Sequence, residues 1–111
     1  MLSEILIMEP NLIYIEKISE NDLEFKSKII SIIKNEFPLE KKEFYDNIKS
    51  KKYIDAAQNV HKIKHKINMF GLIEGANIAV KFENELNQKK IDSYNDFIVV
   101  LNVIDNFLNK I

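Results

Sequence analysis

The sequence predicts an all-α fold, an up-and-down antiparallel four-helix bundle with a short N-terminal helix. Apolar residues recur at helical spacing along most of the 111-residue chain, so successive segments each carry one hydrophobic stripe. Only two glycines and two prolines are present, which leaves little material for β-hairpins or long loops. Amphipathic helices joined by short turns can bury their stripes only against one another, so we predict a single domain over residues 1–111.

The N-terminal part of the chain predicts a lead-in and a short helix. Residues 1–9 contain the apolar run ILIM, which is too short to span a bilayer. No basic segment precedes this run, so we expect no signal peptide. Pro10 suits the opening of a short helix over residues 11–17. We predict that residues 1–19 form an addition to a bundle over residues 20–110.

One long helix is predicted next. Ser19 and Asp22 have the spacing of a capping box, which satisfies the first N–H groups of a helix. Residues 20–50 carry an apolar stripe throughout, so we predict one long bent helix there. Pro38 lacks the N–H that a helix interior needs, and a break at this residue is the alternative. A charged turn over residues 50–52 ends the segment.

Three further helices complete the predicted bundle. The first runs over residues 53–69 and ends at Gly71, because a residue without Cβ most easily ends a helix. The second follows this tight turn as an antiparallel neighbour up to about residue 88, and Asp92 or Ser93 can cap the third. The inward stripe of the second is predicted to be Ile73, Ala76, Val80 and Leu86. The inward stripe of the third is predicted to be Tyr94, Phe97, Ile98, Leu101, Ile104, Leu108 and Ile111.

Composition argues against several functional classes. Hydrophobic residues make up 46% and charged residues 30%, the balance of a globular rather than a disordered chain. Sixteen basic residues offset seventeen acidic ones, so we expect neither nucleic-acid nor membrane binding. The sequence has no cysteine for disulfides or thiol chemistry, which fits a reducing compartment. We therefore expect a cytoplasmic protein. We also expect a monomer.

A histidine on the helix over residues 53–69 is the candidate functional residue. If the apolar face of this helix packs inward, His61 points about 130° away from the centre of that face, towards solvent. Lys64 lies one turn further along, between His61 and the buried face, and Ala57, one turn earlier, adds almost no bulk. The pattern offers a nucleophilic imidazole to the outside with a cation beside it. The buried face is predicted to consist of Ala56, Val60, Ile63, Ile67 and Phe70.

The spacing His61-x-Ile63-Lys64, with Gly71 ten residues after the histidine, resembles the signature of histidine-containing phosphotransfer (HPt) domains. Members of that family carry a phosphoryl group on one histidine between receiver domains of two-component relays. The resemblance covers most of the chain and implies that His61 is the phosphoacceptor. His65 departs from the family pattern, which usually has a glycine directly after the lysine. Its side chain could narrow the approach to His61 or give a partner an additional contact.

The HPt resemblance also implies partners and a mechanism. The partners would be receiver domains of hybrid histidine kinases and of response regulators. The neutral Nε2 of His61 would attack the phosphorus of a receiver aspartyl phosphate, and Lys64 would offset charge on the phosphoryl oxygens. Mg²⁺ is expected in the partner's acidic pocket, and the protein itself is expected to need no cofactor. The sequence contains neither the P-loop of nucleotide-binding proteins nor the Gly-rich loop of protein kinases, so we expect a carrier without autokinase activity.

Glu83 stands on the predicted inward stripe of its helix, where an apolar residue is expected. It lies twelve residues after Gly71, whereas His61 lies ten residues before it. Antiparallel helices that rise ~1.5 Å per residue bring two such positions to similar heights. We hypothesise that the Glu83 carboxylate accepts a hydrogen bond from His61 Nδ1–H and leaves Nε2 free, and the HPt resemblance implies the same. The alternative is a boundary carboxylate paired with Lys64 or with solvent.

Ile54 and Met69 flank His61 along the exposed side of the helix. An apolar residue on each side of a reactive group suits a docking patch, although the N-terminal segment could equally cover both.

His61 and His65 stand at i and i+4, where a histidine pair can ligate zinc. No third ligand is obvious nearby, so we expect no metal site. The predicted binding residues are Ile54, Ala57, Gln58, His65, Asn68, Met69 and Gly71.

The leading interpretation of the sequence is a phosphorelay intermediate that accepts a phosphoryl group on His61 and passes it to another receiver. The alternative is a non-catalytic helical adaptor or an inactive HPt-like module that binds receiver domains, and His65 keeps the latter open. Lys62 and Lys66 are predicted to be solvated lysines on the outer face of the helix, better placed to steer a partner than to contact a phosphoryl group. The chain could be a free-standing carrier or a domain of a hybrid kinase.

Overall fold

The computed structural model describes residues 9–111, and this part of the chain contains five helices and no strand. The helices are α1 (Ile13–Ser19), α2 (Leu23–Lys49), α3 (Tyr53–Met69), α4 (Ile73–Asn87) and α5 (Tyr94–Lys110). The prediction of an all-α fold is thereby confirmed, whereas the predicted lead-in lies, up to residue 8, outside the described residues. None of the described helices is long and apolar enough to cross a membrane.

The first helix begins later than predicted, at Ile13 rather than at residue 11. The Asn11 side chain organises the entry, because its Oδ1 accepts a hydrogen bond from the Ile13 N–H at 3.1 Å. The Asn11 backbone N–H donates to the Phe70 carbonyl at 2.9 Å, which fixes the start of α1 to the end of α3. The prediction that Pro10 opens the helix is wrong, since Pro10 lies before these contacts.

The predicted capping box is also wrong. Ser19 is the last residue of α1, and its buried hydroxyl donates to the Ile15 carbonyl within the same helix. Asp22 caps α2 alone, by accepting a hydrogen bond from the Phe25 N–H at 3.1 Å. The two residues between Ser19 and Asp22 have positive φ and form a tight turn, so Ser19 belongs to the preceding helix and does not reach the first N–H groups of α2.

The second helix is continuous, as predicted, and the alternative of a break at Pro38 is not realised. Pro38 and Lys34, whose carbonyl a residue at position 38 would ordinarily bond, are both exposed, so water can satisfy that carbonyl. Phe44 projects inward from α2 and is fully buried. Its ring centroid lies 6.0 Å from that of Phe82 on α4 and 5.2 Å from that of Phe97 on α5, so aromatic side chains from three helices meet in the core.

The third helix packs against both α2 and α4. Its bounds, Tyr53–Met69, are those predicted. Every residue of the predicted buried face is 0% exposed, which confirms that face; these residues are Ala56, Val60, Ile63, Ile67 and Phe70. The contacts of α1 with α2 and of α4 with α5 complete the packing of consecutive helices.

The inward stripe of α4 is partly mispredicted. Ile73 and Val80 are 70% and 43% exposed, so both face outward. The reason is that Leu72, in the turn before α4, is buried and takes the core position expected of Ile73. The observed inward set is Leu72, Ala76, Ala79, Phe82 and Leu86. On α5 the buried members of the predicted stripe are Phe97, Leu101, Ile104 and Leu108, whereas Val100 is buried but was not predicted and Ile111 is exposed.

Gly71 ends α3, as predicted. Its φ is +75°, its N–H donates to the Asn68 carbonyl at 3.0 Å, and the Leu72 N–H donates to the Ile67 carbonyl at 3.3 Å. This is the hydrogen-bond pattern of a helix closed by a left-handed residue. A Cβ at this position would come within 2.6 Å of the Asn11 side-chain nitrogen, so both conformation and space require glycine. The turn returns α4 along α3.

The prediction that Asp92 or Ser93 caps α5 is wrong as regards the side chains: Ser93 directly precedes the helix, but no side chain among the described residues caps it. Its N–H and its hydroxyl both donate to the Glu85 carboxylate of α4, each at 2.7 Å. Ser93 is buried, so these two hydrogen bonds stabilise the connection between α4 and α5 away from solvent.

Candidate functional site

His61 lies near the middle of α3 on the exposed side of the helix. Its side chain is 50% exposed, whereas Val60 beside it in the chain is fully buried. Ala57, one turn earlier, is 2% exposed and adds only a methyl group next to the imidazole. The ring therefore projects from the middle of the helix and is accessible from solvent.

The structure brings the three predicted site residues together. The Nδ1 atom of His61 lies 3.1 Å from Oε2 and 3.2 Å from Oε1 of Glu83. The Lys64 Nζ atom lies 3.3 Å from the same Nδ1 and 3.7 Å from Glu83 Oε1. The Glu83 carboxylate and the Lys64 ammonium thus meet at the Nδ1 edge of the His61 ring.

The contacts with Glu83 favour the Nδ1–H tautomer of His61. An ionised carboxylate can only accept hydrogen bonds, so the approach of both Glu83 oxygens to Nδ1 favours a proton on that nitrogen. The Lys64 ammonium can only donate, so beside a protonated Nδ1 its partner is Glu83 and not the ring. In a neutral imidazole this arrangement leaves the free lone pair on Nε2, on the side of the ring away from Glu83.

Glu83 reaches the site from the boundary of α4. It follows the fully buried Phe82, and Val80 is exposed, so Glu83 does not interrupt an inward stripe as the sequence suggested. Its height along α4 matches that of His61 on α3, as the residue count from Gly71 implied. The side chains of Lys64 and Glu83 are 18% and 22% exposed, so their charges are screened less than those of a fully solvated pair.

A depression of about 340 Å³ lies beside His61, between α3 and the end of α4. It is lined by Ile54, Ala57, Gln58, His61, Lys62, Glu83 and Asn87. The first three are predicted binding residues. Asn87 was missed because an exposed asparagine fits no catalytic or ligand pattern. The signal that could have found it is its position one turn after Glu83, on the same side of α4.

The remaining predicted binding residues do not line this depression. The His65 ring lies one turn beyond His61, with ring centroids 5.1 Å apart and planes at 87°. Asn68 is exposed, Met69 packs half-buried against the core, and Gly71 forms the turn. The alternative in which the N-terminal segment covers part of this side falls on residues outside the described range.

Lys62 is exposed, but the prediction that Lys66 is solvated is wrong. Its ammonium lies between α3 and α2, 2.9 Å from Glu40 and 3.0 Å from Glu36. Burial lowers the pKa of Lys66, but the hydrogen bonds and negative charges of Glu40 and Glu36 together outweigh it, so the pKa lies above its ordinary value of 10.5. The missed signal is the i, i+4 spacing of the two glutamates on α2.

Within residues 9–111, no group of three or more His, Cys, Asp or Glu side chains is arranged to hold a metal ion. Comparison of the chain with protein-family models, with curated proteins and with solved structures gives no match. The geometry around His61 is therefore what indicates a function.

Proposed function

We propose that the protein is a phosphorelay intermediate, in which His61 accepts a phosphoryl group from a receiver-domain aspartyl phosphate and passes it to another receiver. The observation that carries this proposal is the engagement of His61 Nδ1 by Glu83 at 3.1 Å, on a ring that is half exposed. A carboxylate on one ring nitrogen keeps the other free as a nucleophile, and exposure lets a partner's phosphorus reach it.

The fold that we propose is an up-and-down antiparallel four-helix bundle of α2 to α5, with α1 as an addition. Consecutive helices pack on one another across short turns, which favours antiparallel neighbours. Contacts between α2 and α5 support closure of the bundle: Phe44 packs on Phe97, and Lys41 pairs with Asp105. Such a bundle holds α3 with its His61 side facing outward.

The proposed reaction is an in-line displacement. Nε2 of His61 attacks the phosphorus, an N–P bond forms, and the P–O bond to the aspartyl carboxylate breaks with its electron pair on the departing carboxylate. The imidazole keeps its Nδ1 proton and becomes positively charged, and the Glu83 carboxylate balances this charge. The Lys64 ammonium stands beside Nδ1 and Glu83, so its side chain would have to turn away from Glu83 to offset negative charge on the phosphoryl oxygens at Nε2. The receiver's Mg²⁺, which belongs to the partner, neutralises the transferring group, and the same steps in reverse pass it onward.

The proposed partners are receiver domains of hybrid histidine kinases and response regulators. The protein itself is proposed to be a cytoplasmic monomer without a cofactor of its own. A second candidate function is a non-catalytic adaptor or an inactive module that binds receivers. The His65 ring favours this candidate, because a side chain 5.1 Å from the His61 ring can obstruct the approach of a partner.

The test is incubation of the protein with a panel of receiver domains that carry labelled aspartyl phosphate and Mg²⁺. We expect label on the protein that is labile in acid and stable in base, as phosphohistidine is. Binding of each receiver should be measured in parallel. A receiver that binds the protein but never transfers its label would favour the adaptor over the phosphorelay intermediate.

The variant Glu83→Ala is expected to transfer phosphoryl groups 10- to 100-fold more slowly, the range found when a group that orients a histidine is removed (roughly, by analogy with metal-site histidines). Without the carboxylate, the Nδ1–H tautomer of His61 loses its hydrogen-bond acceptor. The nitrogen chemical shifts of His61 should then move towards the Nε2–H tautomer. Single-turnover transfer rates and nitrogen NMR spectra measure the two effects.

Glu74→Ala is the matched control, because it removes an exposed carboxylate from the first turn of the same helix. We expect it to change neither the His61 shifts nor the transfer rate. If Glu83→Ala also left both unchanged, Glu83 would be only a boundary carboxylate that pairs with Lys64.

A further inference from the structure

A second depression, of about 300 Å³, lies where α3 begins and α4 has ended. It is lined by Lys51, Lys52, Tyr53, Ile54, Asp55 and Lys89, and we call it the lysine depression. Ile54 also lines the depression beside His61, so the two adjoin. Ile54 is 47% exposed and provides an apolar surface between the lysines and the imidazole.

The lysine depression is positive on a chain that is slightly negative. Three ammonium groups stand against one carboxylate, that of Asp55, whereas the whole chain has a net charge of −1. Lys51, Lys52 and Lys89 form no salt bridge with any residue in the described part of the chain. Their charges are therefore available to a partner.

The backbone conformation and hydrogen bonds fix the positions from which two of these lysine side chains project. Lys51 and Lys89 each follow the end of a helix with left-handed φ, +58° and +60°. The Lys51 N–H donates to the Ile48 carbonyl at 3.0 Å, and the Lys89 N–H donates to the Leu86 carbonyl at 2.9 Å. Because the turns are already ordered, a partner that binds these lysines has to immobilise only their side chains.

We propose that the docking surface for a receiver domain extends from His61 across Ile54 into the lysine depression, where Lys51, Lys52 and Lys89 bind carboxylates of the receiver. This inference rests on the proposed function. A receiver that holds Mg²⁺ and an aspartyl phosphate in an acidic pocket presents negative charge around that pocket, and the lysine depression is its electrostatic complement. Charges at the rim of an interface mainly raise the association rate, which sets the form of the test.

The test compares the wild type with the triple variant Lys51→Gln, Lys52→Gln and Lys89→Gln. At low salt we expect the second-order rate constant for transfer from a phosphorylated receiver to fall about 10-fold, the combined effect of three exposed ion pairs. The rate at saturating receiver should stay unchanged, because His61 and its hydrogen bond to Glu83 are intact. The wild-type rate should fall more steeply with sodium chloride than that of the variant.

A second triple variant, Lys17→Gln, Lys28→Gln and Lys34→Gln, is the control for net charge. These exposed lysines lie on α1 and on the first half of α2. Lys34 is ~22 Å along the helix from the end of α2, after which Lys51 and Lys52 line the lysine depression. We expect a second-order rate constant within about two-fold of the wild type, since distant charges are screened.

Three results would overturn this inference. Equal losses in both triple variants would assign the effect to net charge, and a lower rate at saturating receiver would assign the lysines to the transfer step rather than to docking. Binding of anionic vesicles or DNA through these lysines, with receiver transfer unaffected, would give the depression a different occupant. If no receiver phosphorylates the wild type, that result contradicts the proposed function itself, and the proposed docking surface is rejected together with it.

Discussion

Replacing His61 with glutamine is expected to abolish acceptance of a phosphoryl group. The glutamine amide can still form hydrogen bonds near Glu83, but its nitrogen has no free lone pair with which to attack phosphorus. The His61 side chain is half exposed and is not part of the core, so the fold should be retained. The measurement is acid-labile label after incubation with a phosphorylated receiver, together with the thermal unfolding midpoint, which should not change.

His65→Gln is the matched control, because it removes the other of the two histidines in the sequence, one turn away on the same helix. We expect it to keep the label, since Glu83 contacts the ring of His61 and not that of His65 in the described part of the chain. Faster transfer by this variant would indicate that the His65 ring obstructs His61, and slower transfer would indicate that a partner contacts it. Label lost from His65→Gln alone would move the phosphoacceptor by one turn and contradict the proposal.

The site on α3 could be predicted because its determinants are local. Apolar residues at helical spacing define the buried face, Gly71 defines the end of the helix, and together they fix the outward direction of His61. The position of Glu83 opposite His61 followed from counting residues on either side of one tight turn. The premise that Glu83 interrupts an inward stripe was wrong, because the buried Leu72 shifts which residues of α4 face the core.

Pairs that join two helices could not be predicted from the pattern on either helix alone. Ser93 occupies the position of a cap, yet its hydroxyl bonds Glu85 on α4. Lys66 belongs to a polar face of α3, yet its ammonium pairs with Glu40 on α2. Both contacts depend on the rotation of one helix relative to its neighbour, which the packing of the whole core determines.

The variant Lys66→Met is expected to lower the free energy of unfolding by about 3 kcal/mol, the lower end of the range for removing one partner of a buried ion pair. Methionine keeps the apolar reach of lysine but removes the charge between Glu40 and Glu36, so the Glu40 carboxylate stays at the interface of α2 and α3 unpaired. Its Oε1 atom is already buried without a hydrogen-bond partner in the described part of the chain. Thermal unfolding followed by circular dichroism should show a midpoint roughly 10–20 °C lower.

Lys42→Met makes the same substitution in an exposed pair. Lys42 and Asp46 lie at i and i+4 on α2, with side chains 75% and 63% exposed, so we expect no measurable change in the midpoint.

The effect of Lys66→Met should also depend on pH in a definite direction. Because Glu40 and Glu36 hold the pKa of Lys66 above 10.5, the contribution of the charged pair is fully present below that value and is lost as the pH rises through the folded-state pKa. The difference in stability between Lys66→Met and the wild type should therefore be constant from about pH 7 up to the ordinary lysine pKa of 10.5 and narrow only above it.

The double variant Lys66→Met with Glu40→Met separates charge from packing. If the loss in the single variant comes from an unpaired carboxylate, removing that carboxylate should restore most of the stability, because replacing a whole buried pair by apolar side chains is often neutral. A double variant as unstable as the single one would instead assign the loss to the packing of the lysine stem. A single variant as stable as the wild type would mean that water reaches the Glu40 carboxylate once the ammonium is gone, and that Lys66 does not tie α3 to α2.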